Sequence, residues 1–232
     1  MAEVKTPRRR YHSPLRADQA QRTRGRVLDA AFRLFVERGY AGTTVATVAE
    51  GAGVSPETVY QSFGGKRGLL EGVIDAAITG PDEGPADDEA LWASLAELPD
   101  PRSRLARMVD YSCAILARTR PIHAVIRGAA DKEPFAAALG HRLLQDRLVS
   151  QTERIRRYLG DDLAPELSVP EAGERYSALV SPDLYHLLTV EMSWTADQHR
   201  QWLIRLLETD LLGPALPRSR RSPRADPGSP GR

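Results

Sequence analysis

The amino-acid sequence predicts an all-α fold, and three features of the chain support that prediction. Apolar residues recur at the spacing of one helix face in most of the chain, and no segment shows the clear alternation of a half-buried strand. Residues 44–63 contain two short apolar segments separated by a glycine turn. The segments after residue 100 are long, and proline-containing stretches separate them. A small N-terminal helical domain followed by a larger helical domain is therefore expected.

The first predicted helix spans residues 22–38. Its apolar residues share one face and are expected to be buried: Val27, Leu28, Ala31, Leu34 and Phe35. Gly39 is expected to end this helix. The Thr43–Thr44 pair then supplies an N-cap for the next helix, because a threonine hydroxyl can accept a hydrogen bond from the first helical turn.

Residues 44–63 have the pattern of a helix-turn-helix. Gly53 lies in the turn, where a positive φ favours glycine. Ser55 is a suitable N-cap for the second helix, and Pro56 occupies its first position, where the missing N–H costs nothing. The side chains expected to be buried are Val48, Ala52 and Val59. The second helix then presents its first residues outward, as a helix that enters a DNA groove does. An ordinary helical hairpin is the alternative interpretation.

The rest of the chain is also expected to be helical. A fourth helix runs from Lys66 to about Ile78, and a connector rich in Gly, Pro and acidic residues covers residues 80–90. Pro121 is expected to break one helix, and Pro182 is expected to kink or divide another. The predicted helices beyond the connector span residues 88–97, 101–118, a short stretch ending near 130, 134–159, 170–192 and 196–212.

This order of elements resembles the N-terminal domain of the TetR family of bacterial transcriptional regulators. The resemblance is specific over residues 22–80, and beyond them it is one of layout only. The residues that match the family's pattern are Ala30, Phe35, Gly39, Thr43, Thr44, Val48, Ala49, Ala52, Gly53, Val54, Ser55, Val59, Tyr60, Phe63, Lys66, Leu69 and Leu70. Ser62 departs from the pattern, because the family usually has His or Tyr there. A weaker hold on phosphate, or one moved to the N-terminal arm, would follow from this departure.

The resemblance implies a sequence-specific DNA-binding regulator, most simply a repressor that a small molecule releases from a palindromic operator. A ligand-independent architectural DNA-binding dimer is the alternative, and an enclosed apolar pocket within residues 101–192 would favour the ligand-responsive regulator. The sequence has no recognisable Gly-rich phosphate loop, nucleophile elbow or metal-binding cluster. Neither an enzymatic activity nor a cofactor is expected. The small molecule that is expected is an unidentified effector.

Side-chain chemistry divides the expected DNA contacts into two sets. The residues expected to contact base edges are Ser55, Pro56, Glu57 and Gln61. An amide can pair with adenine, and a carboxylate can accept a hydrogen bond from cytosine. The residues expected to hold phosphates offer hydroxyl groups, a helix N-terminus or a cation: Thr43, Thr44, Tyr60 and Lys66. For Thr44, a role as N-cap alone is an equal alternative.

The resemblance also implies an effector pocket enclosed by the helices after the connector. Its candidate lining residues are Met108, Tyr111, Ile115, His123, Ile126, Arg127, Phe135 and Leu139. Each of them individually fits an ordinary core or surface position better. His123 and Arg127 are four residues apart, so they share one helix face and would suit an anionic ligand. A salt-bridged or solvated pair is the favoured interpretation of these two residues.

The last two predicted helices are richly apolar and are expected to form a homodimer interface as a four-helix bundle. The residues expected at this interface are Leu184, Leu187, Leu188, Trp194, Trp202, Leu203 and Leu206. The alternative is that these helices close the core of the monomer, and part of this set is expected to do so.

The net charge of +1 conceals a strong asymmetry along the chain. The net charge is +4 over residues 1–80, −7 over residues 81–217 and +4 over residues 218–232. A basic DNA-binding domain over residues 21–80 and an acidic effector-binding and dimerisation domain over residues 81–217 account for this pattern. Residues 1–20 and 218–232 are expected to be a disordered basic arm and tail.

A cytoplasmic protein without a membrane partner is expected. No apolar run is long enough to span a bilayer, and the basic N-terminus is not followed by the apolar stretch of a signal peptide. Cys113 is the single cysteine, so an internal disulfide is impossible.

Overall fold

The structure is a computed structural model that describes residues 14–80 and 92–213. Within these ranges every regular element is a helix. The predicted all-α fold is therefore confirmed, with a helix-turn-helix at its N-terminal end and a larger helical region after it.

The helices of the N-terminal region are α1 (Pro14–Gly42), α2 (Val45–Ala52), α3 (Pro56–Phe63) and α4 (Lys66–Thr79). A short helical segment covers residues 92–96. The helices that follow are α5 (Pro101–Ala130), α6 (Pro134–Leu159), α7 (Val169–Leu179), α8 (Pro182–His186) and α9 (Ala196–Leu212). A 3-10 turn at Gly160–Asp162 follows α6, and a π-helical turn at Leu187–Glu191 follows α8.

The first helix is longer than the sequence pattern predicts. It begins at Pro14, so the expectation of a disordered arm over residues 1–20 is wrong for the last seven of these residues. Residues 15–21 are mostly good helix formers, and an i,i+4 ion pair joins Arg22 to Asp18 at 2.9 Å. Gly39 leaves helical geometry at a φ of 68°, which is the interruption expected there. Residues 1–13, the connector after residue 80 and the predicted tail lie outside the described residues.

The α2–turn–α3 unit has the local structure that the sequence predicts. The Thr44 hydroxyl caps α2 by accepting a hydrogen bond from the backbone N–H of Thr47 at 3.1 Å. Gly53 has a φ of 65° in the turn. The Ser55 hydroxyl caps α3 by accepting a hydrogen bond from the N–H of Thr58 at 3.3 Å. The side chains that pin this unit are buried as expected: Val48, Ala49, Ala52 and Val59.

Helix α5 continues through Pro121, so the predicted helix break at this residue is wrong. A proline inside a helix removes one backbone hydrogen bond and crowds the preceding turn, which costs roughly 3 kcal/mol when nothing offsets it. Packing offsets it here, because Thr119, Ile122 and Ile126 on either side of the proline are buried. Tertiary packing commonly overrides local helix preference in this way.

Pro182 divides the helix predicted over residues 170–192, as expected. Helix α7 ends at Leu179, and α8 begins with Pro182 at its first position. The Ser181 hydroxyl caps α8 by accepting a hydrogen bond from the N–H of Leu184 at 3.2 Å. The next helix, α9, has the bounds that the sequence predicts, and Thr195 and Gln198 form a capping box at its start.

Helix α5 connects the two buried clusters of the molecule. Its C-terminal half, with Ile122 and Ile126, packs into the apolar cluster of α1–α4. Its N-terminal half, with Leu105 and Met108, packs against α6, α7 and α9. A displacement of α5 would therefore change the packing of both clusters, because close-packed interiors transmit strain.

None of the described helices is long and apolar enough to cross a lipid bilayer.

Candidate nucleic-acid interface and ligand cavity

Helix α3 is short, well capped and held from one side. Val59 on its inner face is fully buried, and Pro56 begins the helix directly after the Ser55 cap. Gly64 ends the helix at a φ of 69°, and its N–H bonds to the carbonyl of Tyr60. This arrangement fixes the direction of the helix and leaves its opposite face in solvent.

The residues expected to contact base edges lie on the solvent face of α3. All four residues of this set are exposed: Ser55, Pro56, Glu57 and Gln61. The pKa of the Glu57 carboxyl is lowered by hydrogen bonds from its own backbone N–H and from the Ser55 hydroxyl. Glu57 is therefore an ionised hydrogen-bond acceptor near the start of α3, with two donors that moderate its charge.

The prediction that Thr43 holds a phosphate through its hydroxyl is wrong. Its side chain is fully buried, and its hydroxyl donates to the carbonyl oxygens of Leu34 at 3.0 Å and of Gly39 at 2.9 Å. Thr43 instead supports the non-helical geometry at Gly39. Thr44 is exposed, but its hydroxyl is engaged with the backbone and side chain of Thr47.

Tyr60 and Lys66 remain candidates for phosphate contact. Tyr60 is 56% exposed on the outer face of α3. The Lys66 ammonium lies 4.2 Å from the centre of the Tyr40 ring and 3.5 Å from the carbonyl oxygen of Ala41. Partial burial lowers the pKa of Lys66. Because Lys66 is also the first residue of α4, its charge adds to the positive end of that helix.

Arg24 completes this surface and was missed by the sequence analysis. Its guanidinium donates to the carbonyl oxygen of Ser62 at 3.3 Å, and its central carbon lies 4.4 Å from the centre of the Phe63 ring. A cation therefore stands beside Ser62, the position that departs from the family pattern. The signal was the basic stretch at residues 22–26, from which Arg24 reaches the end of α3 only once α1 is packed against α2 and α4.

A protein-family model described as bacterial regulatory proteins of the tetR family matches residues 27–73, which contain α2 and α3. Over these residues the chain is similar to the DNA-binding domain of TetR-family regulators. The uncharacterized HTH-type transcriptional regulator YvkB of Bacillus subtilis is 44% identical over 52 residues, which are 22% of this chain and 28% of YvkB. The HTH-type transcriptional regulator TcmR of Streptomyces glaucescens is 33% identical over 122 residues, which are 51% of this chain and 50% of TcmR. The chain thus matches between about a quarter and a half of the length of these relatives.

The TetR-like fold extends beyond the matched domain. A transcriptional regulator from Saccharomonospora viridis, solved in complex with choline, superposes with a TM-score of 0.60 at 22% identity. The match covers 83% of this chain and 98% of that protein. At this level of identity the likeness shows a shared fold.

The C-terminal region of the chain contains a cavity of about 300 Å³ between α4, α5, α6 and the junction of α7 with α8. Three of the candidate pocket residues line it: Tyr111, Ile115 and His123. Burial and the positive charge of Arg147 lower the pKa of His123 to about 4, so this imidazole is neutral at pH 7. Helix α4 contributes Ile78 and Thr79 to the wall, which places the cavity against the helix that follows the DNA-binding unit.

The other candidate pocket residues lie elsewhere. Met108 and Leu139 are wrong as pocket residues, because each is packed inside one of the two buried clusters. Phe135 lies at the edge of the N-terminal cluster, where the Arg67 guanidinium approaches its ring at 5.3 Å. Ile126 and Arg127 line a separate groove, and Arg127 forms an ion pair with Asp183.

The polar side of the cavity comes from α6 and was not anticipated. Its basic and amide side chains are Arg147, Gln151 and Arg154. They are spaced at i, i+4 and i+7, so one helix face carries all of them. From the sequence alone the arginines of this helix would be assigned to solvent, because a regular apolar stripe elsewhere on the helix accounts for a buried face. Arg147 and Arg154 are half-buried in the structure.

The expected dimer surface is only partly exposed. Leu188 and Leu203 are wrong as interface residues, because they are buried in the core of their own chain. The remaining predicted residues are half-buried or exposed: Leu184, Leu187, Trp194, Trp202 and Leu206. Val190 and Met192 add to this surface, at 42% and 54% exposure. An apolar patch therefore surrounds the π-helical turn and the start of α9.

Within the described residues, no group of three His, Cys, Asp or Glu side chains is placed to hold a metal ion.

Proposed function

We propose that the chain is a sequence-specific transcriptional repressor that binds a near-palindromic operator as a homodimer. The observation that carries this proposal is the rigidly capped helix α3, whose exposed face combines an amide, an ionised carboxylate and hydroxyl groups. These groups match the donors and acceptors of base edges in the major groove. The repressor would act in the cytoplasm, where it meets the chromosome, and neither a catalytic step nor a cofactor belongs to the proposal.

The apolar patch around Leu187, Val190 and Met192 supports the dimer. Large exposed apolar side chains that cluster on one face are typical of a protein interface. Pairing of two such patches across a two-fold axis would set two α3 helices side by side. Their separation would then match half-sites about 34–36 Å apart, or a multiple of that distance.

The cavity supports regulation by a small molecule, which we propose binds there and releases DNA. Arg118 of α5 donates to the carbonyl oxygens of Ala77 at 3.2 Å and of Ile78 at 3.1 Å, at the end of α4. Helix α4 also contributes to the cavity wall, so a ligand that reshapes this wall would shift α4 and the DNA-binding unit before it. Such a ligand must bind the non-binding arrangement more tightly than the DNA-binding one. A filled interior would have favoured the architectural alternative.

The experiment that tests the proposal is selection of bound fragments from random duplex DNA by the full-length protein at physiological salt. We expect an inverted repeat with a fixed spacer, whose centre-to-centre distance gives the spacing of the two α3 helices. A protein carrying Gln61→Ala and Lys66→Ala together serves as the comparison and should recover the same repeat with weaker enrichment and without preference at one base pair of each half-site. Recovery of random fragments by the unaltered protein would contradict sequence-specific binding and favour the architectural alternative.

A further inference from the structure

The cavity contains a guanidinium group that has no ionic partner in the part of the chain that the structure describes. Arg147 is half-buried, and its Nε donates to the Ser177 hydroxyl at a distance of 3.5 Å. Among the described residues, no carboxylate lies within ion-pair distance of Arg147. Asp183 is the acidic group that acts on it electrostatically, and Asp183 is already paired with Arg127. A desolvated cation in this position favours an anion from outside the chain.

The cavity also contains an unused hydrogen-bond acceptor. Gln151 lies one turn beyond Arg147 on α6, lines the same cavity and is only 5% exposed. Its side-chain oxygen has no hydrogen-bond partner among the described residues. Buried polar atoms in native proteins are almost always paired, so this oxygen is suited to an O–H or N–H donor on a ligand.

The remaining walls exclude other classes of ligand. The apolar part is formed mainly by Ile78, Ile115, Leu116, Leu143 and Val180, which suit a small hydrocarbon body. The aromatic surface of Trp92 at the neighbouring opening is already covered by the Arg154 guanidinium, 4.3 Å from the ring centre. A quaternary ammonium ligand would therefore have to displace a resident cation.

The acidic groups at the cavity do not alter this charge balance. Asp75 and Asp146 line it, but both residues are exposed to solvent, where water screens their charge. His123 is neutral at pH 7, for the reasons given above. Arg147 and Arg154 are therefore the ionised groups that face the more enclosed part.

We infer that the cavity binds a small amphipathic carboxylate that also carries a hydrogen-bond donor. The carboxylate pairs with Arg147, the donor reaches the side-chain oxygen of Gln151, and the hydrocarbon body fills the apolar part. Residues at i and i+4 of a helix are neighbours, with Cβ atoms about 5–6 Å apart, so the carboxylate and the donor must reach two adjacent points of one wall. The cavity of about 300 Å³ limits the ligand to the small end of the usual range. The claim that this ligand acts as the effector of a repressor rests on the proposed function. The claim that the cavity binds this class of ligand does not depend on it.

The test is calorimetric titration of the full-length protein without DNA, using acids, their neutral amides and cationic compounds as probes. The probes are 4-hydroxyphenylacetate, its neutral amide and the cation tyramine, together with 8-hydroxyoctanoate, its amide and choline. We expect at least one acid to bind about tenfold or more tightly than its amide, since a charge-assisted pair is worth at least that factor. Neither tyramine nor choline should bind as tightly as that acid.

Three variants assign the binding to named side chains. Arg147→Met should weaken binding of the acid by about tenfold or more and leave that of its amide unchanged. Gln151→Leu should weaken binding of 4-hydroxyphenylacetate but not of phenylacetate, which lacks the donor. Arg156→Met is the matched control, because Arg156 is exposed on the same helix and outside the cavity. Thermal unfolding of each variant establishes that it is folded, and Arg147→Lys should retain part of the affinity.

The inference is overturned if no acid binds more tightly than its amide, or if Arg147→Met keeps the full affinity for the acid. Operator release is measured separately, by adding each bound probe to the protein–DNA complex. An acid that binds as expected but leaves DNA affinity unchanged supports the ligand class and contradicts the proposed regulation. Release of DNA by choline or tyramine, with no binding of acids, supports the regulation and overturns the ligand class.

Discussion

At the scale of single residues, the structure separates groups that contact solvent from groups that support the fold. Thr43 and Thr44 are adjacent and chemically identical, but the hydroxyl of Thr43 is fully buried, whereas Thr44 is exposed. The sequence pattern identifies both as family matches and has no means of distinguishing them. The distinction depends on the bend at Gly39, which turns the Thr43 hydroxyl towards two carbonyl oxygens.

Lys66 is expected to hold DNA without reading its sequence. Lys66→Ala should lower affinity for all duplexes by about five- to tenfold and reduce the salt slope of binding by roughly one, because one phosphate contact is lost. Lys132→Ala removes the same charge from an exposed position in the turn after α5 and should change neither quantity. Fluorescence anisotropy over a series of salt concentrations measures both. An unchanged salt slope for Lys66→Ala would contradict the phosphate assignment.

Gln61 is expected to read a base. Gln61→Ala should relax preference at a single base pair of each half-site by about 1–3 kcal/mol, because a bidentate amide–adenine pair is lost. Affinity for unrelated duplexes should stay the same. Competition binding with operators substituted one position at a time measures this effect. A uniform loss over all positions would instead assign Gln61 to the DNA backbone.

His123 is expected to make stability depend on pH. Its pKa is lowered from about 6.5 to about 4 in the folded protein, so the unfolded chain binds more protons between these values. The contribution of this residue to stability is therefore complete above pH 6.5 and is lost as the pH falls towards 4. When the pH is lowered from 7 to 5, the melting temperature of His123→Asn should fall less than that of the unaltered protein. His141→Asn, at an exposed position on α6, is the control and should follow the unaltered protein.

At the scale of helices, the sequence predicts where a helix begins better than it predicts whether the helix continues through a proline. Helices α6 and α9 begin and end where the pattern of caps and prolines places them. Pro121 and Pro182 look alike in the sequence, yet only Pro182 separates two helices. The difference lies in the packing around Pro121, where α5 is held between two apolar clusters, and packing between distant segments has no local sequence signal.

The turn between α2 and α3 depends on Gly53. Gly53→Ala should lower the free energy of unfolding by about 1–2 kcal/mol, because an alanine pays the cost of a left-handed backbone conformation. Beyond its two chain neighbours, no atom lies closer than 4.0 Å to the added methyl carbon, so steric collision contributes little. Gly25→Ala, in the helical part of α1 with open space around it, should instead be neutral or stabilise by about 0.5–1 kcal/mol. Urea unfolding of both variants gives the comparison, and equal stabilities would contradict the role of Gly53.

At the scale of the whole molecule, charge and packing divide the chain in different places. The change of charge at the connector predicts where the DNA-binding region ends, whereas α5 joins both buried clusters across that boundary. The polar lining of the cavity was not predictable from the sequence. Arg147 and Gln151 belong to a helix with other, exposed arginines, and only the approach of α5 and the α7–α8 junction encloses them.

The patch around the π-helical turn is expected to form the dimer interface. Leu187→Glu combined with Met192→Glu should convert a dimer into a monomer at micromolar concentration, because two charges would be buried without partners. Both residues are substantially exposed in the single chain, so the monomer should stay folded and keep its helical circular dichroism. Val149→Glu is the matched control, because Val149 is 69% exposed on α6 and stands apart from the patch.

Light scattering after size-exclusion chromatography measures the mass of each protein, and operator binding follows from the same samples. We expect the double variant to bind an operator half-site as weakly as the full operator, because avidity from two α3 helices is lost. Dissociation of Val149→Glu together with an intact Leu187→Glu, Met192→Glu dimer would move the interface to α6. In that case the same α6 helix would carry both the dimer contact and the polar wall of the cavity, and a ligand there would act on the subunit interface directly rather than through α4.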